Sequence, residues 1–282
     1  MKRIITLSIV LSLLIWVFTA CDILVVPETP ADSVNPSDPA ESDSGATDDM
    51  VCSEGLAYAS NGDGTCAVVG IGTCTDTDVV IPKVYNGERV TGIGDGAFKY
   101  CTGLTSIVIP DSVTNIGESV FVNCTGLTSI TIPDNVTSIG MMTFFRCSSL
   151  ASITIPDGVT SIGAAAFFEC IGLTSITIPD GVTGISGDAF CGCSGLTSIT
   201  IPASVTSIGD NAIRECTGLK SVAIPDSVTS IGECAVWGCT VLTSITFEGT
   251  VEQWNAITKG EAWNSRVPAT EVICSDGTVT LG

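Results

Sequence analysis

The sequence contains no histidine and few basic residues: 10 Lys and Arg stand against 30 Asp and Glu. Without histidine, the commonest general base and the commonest metal ligand are missing. A Ser-His-Asp or Cys-His catalytic arrangement is therefore excluded. The net charge of −20 argues against a nucleic-acid-binding surface, because phosphate binding needs clustered Lys and Arg. The acidic excess fits a soluble, self-repelling surface.

The N-terminus has the pattern of an export signal. Two basic residues precede an apolar stretch, Ile4 to Val17, which is shorter than the about 20 residues that a membrane span needs. This pattern predicts a signal peptide over residues 1–20. Ala20 directly before Cys21 resembles a bacterial lipobox, which implies that Cys21 is acylated and becomes the mature N-terminus. The alternative is an ordinary cleaved signal that leaves Cys21 as a free thiol.

Residues 21–50 contain eight acidic residues and four prolines but no Lys, Arg or aromatic residue. Such a segment cannot bury enough apolar surface to offset its conformational entropy. The composition predicts a disordered linker that holds the folded part away from a membrane.

Most of the remaining chain is an internal repeat. Seven cysteines, from Cys101 to Cys239, recur every 23 residues, and columns of leucine and phenylalanine keep the same period. Self-similarity at a fixed period of this length is typical of stacked repeat proteins. We predict an array of about seven coils over residues 95–247.

Each coil can be divided by its residue pattern. Ile107 and Ile109 alternate with polar residues, which predicts a short strand that ends at Pro110. A second extended stretch follows, and the spacing Ala-Phe-x-x-Cys predicts one short helical turn. A single coil cannot offset its own ordering entropy, so neighbours must stack at about 4.8 Å. The predicted fold is an α/β solenoid of short stacked β-strands with short helical turns.

Both ends of the array depart from the repeat, as capping segments do. Residues 51–94 contain Asn61-Gly-Asp-Gly between two apolar runs, which predicts a hairpin, followed by a variant repeat. Residues 248–282 begin with a capping box at Thr250-Val-Glu-Gln, which predicts a short helix, and end in a second hairpin. We expect these two segments to cap the solenoid.

The repeated unit IPDSVTSIGxxAFxxCTGLTSIT resembles the bacterial BspA-like, or treponemal-type, leucine-rich repeat. The resemblance covers about residues 51–282, including both end segments. It implies a right-handed leucine-rich-repeat superhelix. It also implies a surface protein, since some members of this family bind host matrix proteins or other cells.

Candidate ligand-binding residues lie in two sets of columns. Leucine-rich repeats usually bind through the outward strand face, here rich in Ser and Thr, and aromatic or Arg residues at a surface suggest recognition. The alternative interpretations are that Thr suits an exposed strand and that the variable rim column packs between adjacent coils. The candidates are Thr105, Ser106, Thr128, Thr131, Thr154, Thr177 and Thr200 on the strand, and Phe145, Phe168, Arg214 and Trp237 in the rim column.

The acidic and sulfur-bearing columns have structural explanations. The Asp residues that follow the strand prolines suit turns. The alternatives for these residues are the paired carboxylates of a glycosidase and a calcium-binding ladder. The residues are Asp111, Asp134, Asp157, Asp180 and Asp226. No CxxC pair indicates zinc, and we expect no metal and no cofactor. The seven ladder cysteines are predicted to be buried and reduced. Disulfide bonding stays open for the cysteines outside the ladder: Cys52, Cys66, Cys74, Cys191, Cys234 and Cys274.

The sequence therefore predicts a surface-exposed lipoprotein of the bacterial envelope that acts as a protein-binding or adhesion module, not an enzyme. Its partner would be a protein or polysaccharide outside the cell, such as host matrix or other bacteria, with no nucleic acid and with membrane contact only through the lipid anchor. The alternative is a structural envelope protein without a specific ligand. An exposed patch of Phe145, Phe168 and Trp237 would favour binding, and burial of all three would favour the structural role.

Acylation of Cys21 gives a first testable prediction. Mass spectrometry of the mature N-terminus should find a cysteine with attached lipid, because the residue follows an export signal and a small residue. An unmodified Cys21, or a mature chain that starts beyond it, would contradict the prediction.

Overall fold

The computed structural model describes residues 52–281, so the predictions for the signal peptide at residues 1–20 and the linker at residues 21–50 lie outside the described residues. The described part is a β-solenoid of about nine turns. This confirms the predicted solenoid of stacked short strands. The hand of the superhelix stays a prediction.

The strands are short, most have two to four residues, and one short helix, α1, lies between β18 and β19. Their bounds in chain order are β1 (Ala57–Ser60), β2 (Thr65–Gly70), β3 (Asp78–Val80), β4 (Val84–Tyr85), β5 (Glu88–Ile93), β6 (Ser106–Val108), β7 (Asn115–Ile116), β8 (Ser129–Thr131), β9 (Ser138–Ile139), β10 (Ser152–Thr154), β11 (Ser161–Ile162), β12 (Ser175–Thr177), β13 (Gly184–Ile185), β14 (Ser198–Thr200), β15 (Ser207–Ile208), β16 (Ser221–Ile224), β17 (Ser230–Ile231), β18 (Ser244–Phe247), α1 (Val251–Ala256), β19 (Thr258–Lys259), β20 (Glu271–Cys274) and β21 (Gly277–Thr280).

Two series of parallel strands run along the solenoid. In the first, β8 pairs with β10, β12 with β14 and β16 with β18. In the second, β9 pairs with β11, and β13, β15, β17 and β19 form one sheet. Ser129 lies opposite Ser152, so one coil advances the register by one 23-residue repeat. Equivalent residues of successive coils therefore stand in columns.

The predicted short helical turn is wrong: the segment between the second strand and the cysteine is a run of tight turns. Phe121 N–H donates to the Thr143 carbonyl of the next coil at 2.8 Å, while Cys124 N–H closes a turn onto the Phe121 carbonyl. Ser119 and Asn123 both have φ of 57°, in the left-handed region. An α-helix would direct each N–H to a carbonyl within its own coil and leave no donors for the neighbouring coil. Within residues 52–281, α-helix is confined to α1.

The core is built from the leucine, isoleucine and phenylalanine columns. Five rings, from Phe98 to Phe190, are fully buried and stack in succession with centroids 5.4–5.6 Å apart. Nearly parallel planes at this separation correspond to offset stacking, the arrangement that the ring quadrupole favours. Each coil therefore buries its core against the coils on either side.

The ladder cysteines join neighbouring coils through hydrogen bonds. The Cys124 thiol donates to the Phe98 carbonyl at 3.1 Å, and the same bond recurs, at 3.0–3.2 Å, in each coil up to that of Cys239. Six of the seven ladder cysteines are buried, and none of the thirteen cysteines in the described chain is paired with another. Cys101 differs and is half-buried. That the ladder stays reduced after export remains a prediction.

The two ends contain the predicted local structures. β1 and β2 form an antiparallel hairpin, and β2 pairs in parallel with β5. β4 and β5 join through Asn86 and Gly87, with φ of 49° and 81°, as a type I′ turn requires. At the other end, α1 begins with the capping box of Thr250 and Gln253, and β20 and β21 form the last hairpin. That these segments cap the array remains a prediction.

The buried thiols predict a loss of stability at high pH. Burial raises the pKa of the Cys147 and Cys193 thiols to about 12, from an ordinary value of 9.0. Above pH 9 the unfolded chain releases these protons while the folded chain keeps them. The contribution of these two thiols to the free energy of unfolding should therefore be constant below pH 9 and fall as the pH rises towards 12.

Urea unfolding at several pH values, under reductant, measures this effect. A Cys147→Ala, Cys193→Ala variant is the control, because it lacks two of the titrating groups. Its stability should depend less steeply on pH between 9 and 12 than that of the parent. Equal slopes for the two proteins would contradict the assignment.

Candidate binding surfaces

The outward positions of the first strand series form an in-register array of hydroxyl groups. Ser129 and Thr131 point away from the core while Ile130 between them is buried, as strand alternation requires. We define the hydroxyl face as Ser129, Thr131, Ser152, Thr154, Ser175, Thr177, Ser198 and Thr200, all of which are exposed. Four candidates, Thr131, Thr154, Thr177 and Thr200, form one column of this face.

The other strand candidates are engaged in holding coils together. The Thr128 hydroxyl donates to the Thr105 carbonyl at 3.2 Å. Thr105 and Ser106 both donate to the Asp78 carboxylate, at 2.8 and 2.6 Å, and these bonds hold the pKa of Asp78 below its ordinary value. The column that includes Thr105 and Thr128 thus has a structural role that the strand pattern did not reveal.

The rim candidates pack against one another. Phe145 and Phe168 stack with ring centroids 4.8 Å apart. Trp237 lies between Arg214 and Arg266, whose guanidinium carbons are 4.5 and 4.6 Å from its ring centroid. These contacts join adjacent coils, in agreement with the packing alternative for this column.

The exposure of the rim side chains does not decide between a binding function and a structural function for the protein. Phe145, Phe168 and Trp237 are all half-buried, so they form neither a fully exposed apolar patch nor part of the core. Arg146 and Glu169 form an ion pair at 2.7 Å across two coils near the stacked phenylalanines. At such exposure, an ion pair contributes about 0.2–1 kcal/mol at most.

A groove on the second strand series was not predicted from the sequence. We define the acidic groove as a cavity of about 480 Å³ lined by three consecutive coils: Ser207, Ile208, Gly209, Asp210, Ser230, Ile231, Gly232, Glu233, Thr258, Lys259, Gly260 and Glu261. A smaller cavity of about 240 Å³, lined by residues of β11 and β13, shares Ser207 with it. The signal in the sequence was an acidic residue directly after the glycine of this column in the three coils that line the groove, at Gly209-Asp210, Gly232-Glu233 and Gly260-Glu261.

The glycine column explains why this groove exists. A Cβ atom on Gly209 would lie 2.7 Å from the Gly187 nitrogen of the neighbouring coil, closer than van der Waals contact permits. Ser186 occupies the same column, and its hydroxyl donates to the Ile162 carbonyl at 2.6 Å. Close stacking therefore keeps large side chains out of the groove floor.

The turn aspartates lie at the surface of the solenoid. The residues that follow the strand prolines, Asp111, Asp134, Asp157, Asp180 and Asp226, are exposed. Across residues 52–281, no group of three or more His, Cys, Asp or Glu side chains could hold a metal ion. The absence of an enzymatic activity and of a cofactor stays a prediction.

No helix in the described part of the chain is long and apolar enough to cross a bilayer.

Stacked parallel strands with one fixed repeat define a solenoid repeat protein. The sequence matches the BspA type leucine rich repeat region, in six copies, over residues 74–197 and 185–258. Because this match spans more than half of the chain, the chain belongs to the BspA-type leucine-rich repeat family. No curated protein matches the sequence.

Solved bacterial leucine-rich repeat proteins share the fold. A leucine rich cell surface protein from Faecalibacterium prausnitzii A2-165 is 37% identical, with a TM-score of 0.63 over 71% of this chain and 56% of that one. The T. pallidum leucine rich repeat protein is 28% identical, with a TM-score of 0.59 over 67% of this chain and 88% of that one. A leucine-rich repeat protein from Bacteroides ovatus ATCC 8483 is 29% identical, with a TM-score of 0.53 over 82% and 72%. The chain thus spans just over half the length of the Faecalibacterium protein.

The glycine column predicts a position-specific effect of adding one methyl group. Gly209→Ala should destabilise the protein by about 1–3 kcal/mol, because its Cβ would press on the backbone of the coil beneath. Gly103→Ala is the matched control, since a Cβ there meets nothing within 4 Å. Urea unfolding of both variants measures the difference, and equal stability of the two would contradict the close-stacking explanation.

Proposed function

We propose that this protein is a cell-surface lipoprotein that binds another protein through the hydroxyl face and the adjacent rim. Membership of the leucine-rich repeat family supports a protein-binding solenoid. The observation that carries the proposal is the in-register hydroxyl array: Ser152 lies opposite Ser129, Thr154 opposite Thr131, and Thr177 opposite Thr200.

The hydroxyl face suits a protein partner. Thr154, Thr177 and Thr200 are exposed, and their hydroxyls make no hydrogen bond to any other described residue. They can therefore donate to and accept from a partner without breaking a bond of the solenoid. Contacts from any one coil are small, and contacts summed over several coils would supply the affinity.

The predicted N-terminal segment supports display outside the cell. An export signal, an acylated Cys21 and an acidic linker would hold the solenoid away from the bacterial membrane. The Faecalibacterium prausnitzii protein of the same fold is described as a cell surface protein. Host matrix proteins and proteins of other bacteria are the partners that such a location makes accessible. A polysaccharide partner and a structural envelope role without a ligand are the competing functions.

Screening the purified mature protein against immobilised matrix proteins and bacterial cells would identify a partner. The triple variant Thr154→Lys, Thr177→Lys, Thr200→Lys should then bind at least tenfold more weakly, because three long charged side chains would cover the hydroxyl face. Its urea midpoint should stay near that of the parent, since all three residues are exposed.

A second triple variant, Ser194→Lys, Thr217→Lys, Thr240→Lys, is the control. It adds the same charge at the same 23-residue spacing, at exposed turn positions, and should change the affinity less than twofold. A partner whose affinity survives the first triple change, or falls equally with both, does not bind through the hydroxyl face.

A further inference from the structure

Cys101, the first of the seven ladder cysteines, has a cysteine neighbour in the coil before it. The Cys101 N–H closes a tight turn onto the Phe98 carbonyl at 3.1 Å, and the Cys74 N–H closes the same kind of turn onto the Ile71 carbonyl at 3.0 Å. Cys74 therefore occupies the ladder position of its own coil, although its interval to Cys101 is longer than 23 residues. We propose that Cys74 and Cys101 form a disulfide bond in the exported protein, which joins the N-terminal segment of residues 51–94 to the repeat array.

The strands that follow the two cysteines fix the spacing between their coils. β3 and β6 pair in parallel directly after the two turns. Between each turn and its strand, the Thr105 N–H donates to the Thr77 carbonyl at 2.7 Å. Neighbouring strands lie about 4.8 Å apart, and a disulfide bond joins Cα atoms that are about 4.4–6.8 Å apart. The backbone spacing at this position of the ladder therefore suits a bridge.

The two thiols are accessible and are not engaged elsewhere. Both cysteines are half-buried, whereas the six other ladder cysteines are buried. From Cys124 onward, each ladder thiol donates to a carbonyl of the preceding coil. Neither the Cys74 thiol nor the Cys101 thiol donates to a described residue. Burial, and after it the nearby Cys74 thiol, raises the pKa of the Cys101 thiol. A bond between the two sulfurs would therefore break no contact of the solenoid, and Cys101 would be the one exception to the reduced ladder.

Other cysteines of the N-terminal segment are poorer partners for Cys74. The Ser53 N–H donates to the Val80 carbonyl at 2.9 Å, which places Cys52 beside the last residue of β3, whereas Cys74 precedes the first. Cys66 is buried within β2. The half-buried first member of the ladder therefore remains as the partner.

Bond formation needs an oxidant, and small disulfides supply this chemistry in oxidising locations outside the cell. One protein thiolate attacks a sulfur atom of a small disulfide, such as oxidised glutathione, and releases one small thiol. The second protein thiolate attacks the protein-bound sulfur of this mixed disulfide and releases the other. Two protein thiols are thereby oxidised to one S–S bond, and the small disulfide is reduced to two thiols, which take up the two protons. The location of this step, but not its chemistry, rests on the proposed function.

Oxidation of the purified mature protein in a glutathione redox buffer tests the pairing independently of export. The remaining thiols are alkylated in denaturant, and the protein is digested with trypsin and a protease that cleaves before aspartate. Mass spectrometry should find residues 63–75 joined to residues 100–110. Fragmentation of the joined peptides should place the bond at Cys74 rather than at Cys66. The six buried ladder cysteines should all be alkylated.

The bond should also shift the unfolding transition. Oxidised parent protein should unfold at a higher urea concentration than reduced parent protein, because the bond restricts the unfolded chain between the two cysteines. The variant Cys74→Ser, Cys101→Ser should abolish this difference. Cys52→Ser is the matched control, because it removes an exposed thiol from the same segment, and it should retain the difference.

Three results would overturn the proposal: complete alkylation of Cys74 and Cys101 after oxidation, a bond from either residue to a different cysteine, or loss of the urea shift in the Cys52→Ser control. A glutathione adduct on Cys74 or Cys101 without the joined peptides would also overturn it. Binding of a partner to the hydroxyl face does not enter these measurements, so failure of this proposal and failure of the proposed function are distinguishable.

Discussion

The structure depends on the stacking of each coil on the next at one fixed register. Backbone N–H groups of the strands and of the tight turns donate to the neighbouring coil, as Phe121 does to Thr143. Cysteine thiols and threonine hydroxyls add further bonds to carbonyls of the preceding coil. Because no coil can offset its own ordering entropy, these contacts and the burial of the shared phenylalanine stack make the solenoid stable only as an array.

The same register creates the candidate binding surfaces. A residue type that recurs every 23 positions becomes a continuous column, so single exposed side chains become a hydroxyl face and single acidic residues become the wall of a groove. The requirement for close stacking also removes side chains, since a Cβ at Gly209 would press on the coil beneath. Surface variation is concentrated in the rim column, with Phe145, Arg214 and Trp237, where side chains of different types pack across adjacent coils.

The sequence predicts the parts of the fold that alternation and turn chemistry determine. Ile107 and Ile109 mark a strand, Asn86-Gly87 forms a tight turn, and the capping box at Thr250 begins a helix. The prediction of a helical turn was wrong because Phe-x-x-Cys spacing also fits a tight turn, in which the cysteine N–H donates to the phenylalanine carbonyl three residues earlier. The pattern also does not show which backbone N–H groups donate to the neighbouring coil. The acidic groove and the bonds of Thr128 depend on contacts between coils, so one repeat considered alone does not reveal them. Only some of the predicted site residues, including Thr154 and Thr177, are exposed with free hydroxyls.

The claim that a fixed 23-residue register holds the protein together can be tested most directly by deleting one coil. Removal of residues 148–170, a complete repeat, joins Cys147 to Ile171 and preserves every column. Removal of residues 149–170 is one residue shorter and moves each following column out of register. Cooperative urea unfolding followed by circular dichroism should show a folded, somewhat less stable protein for the first deletion and loss of cooperative structure for the second. If both deletions unfold alike, the register is not the constraint that determines this fold.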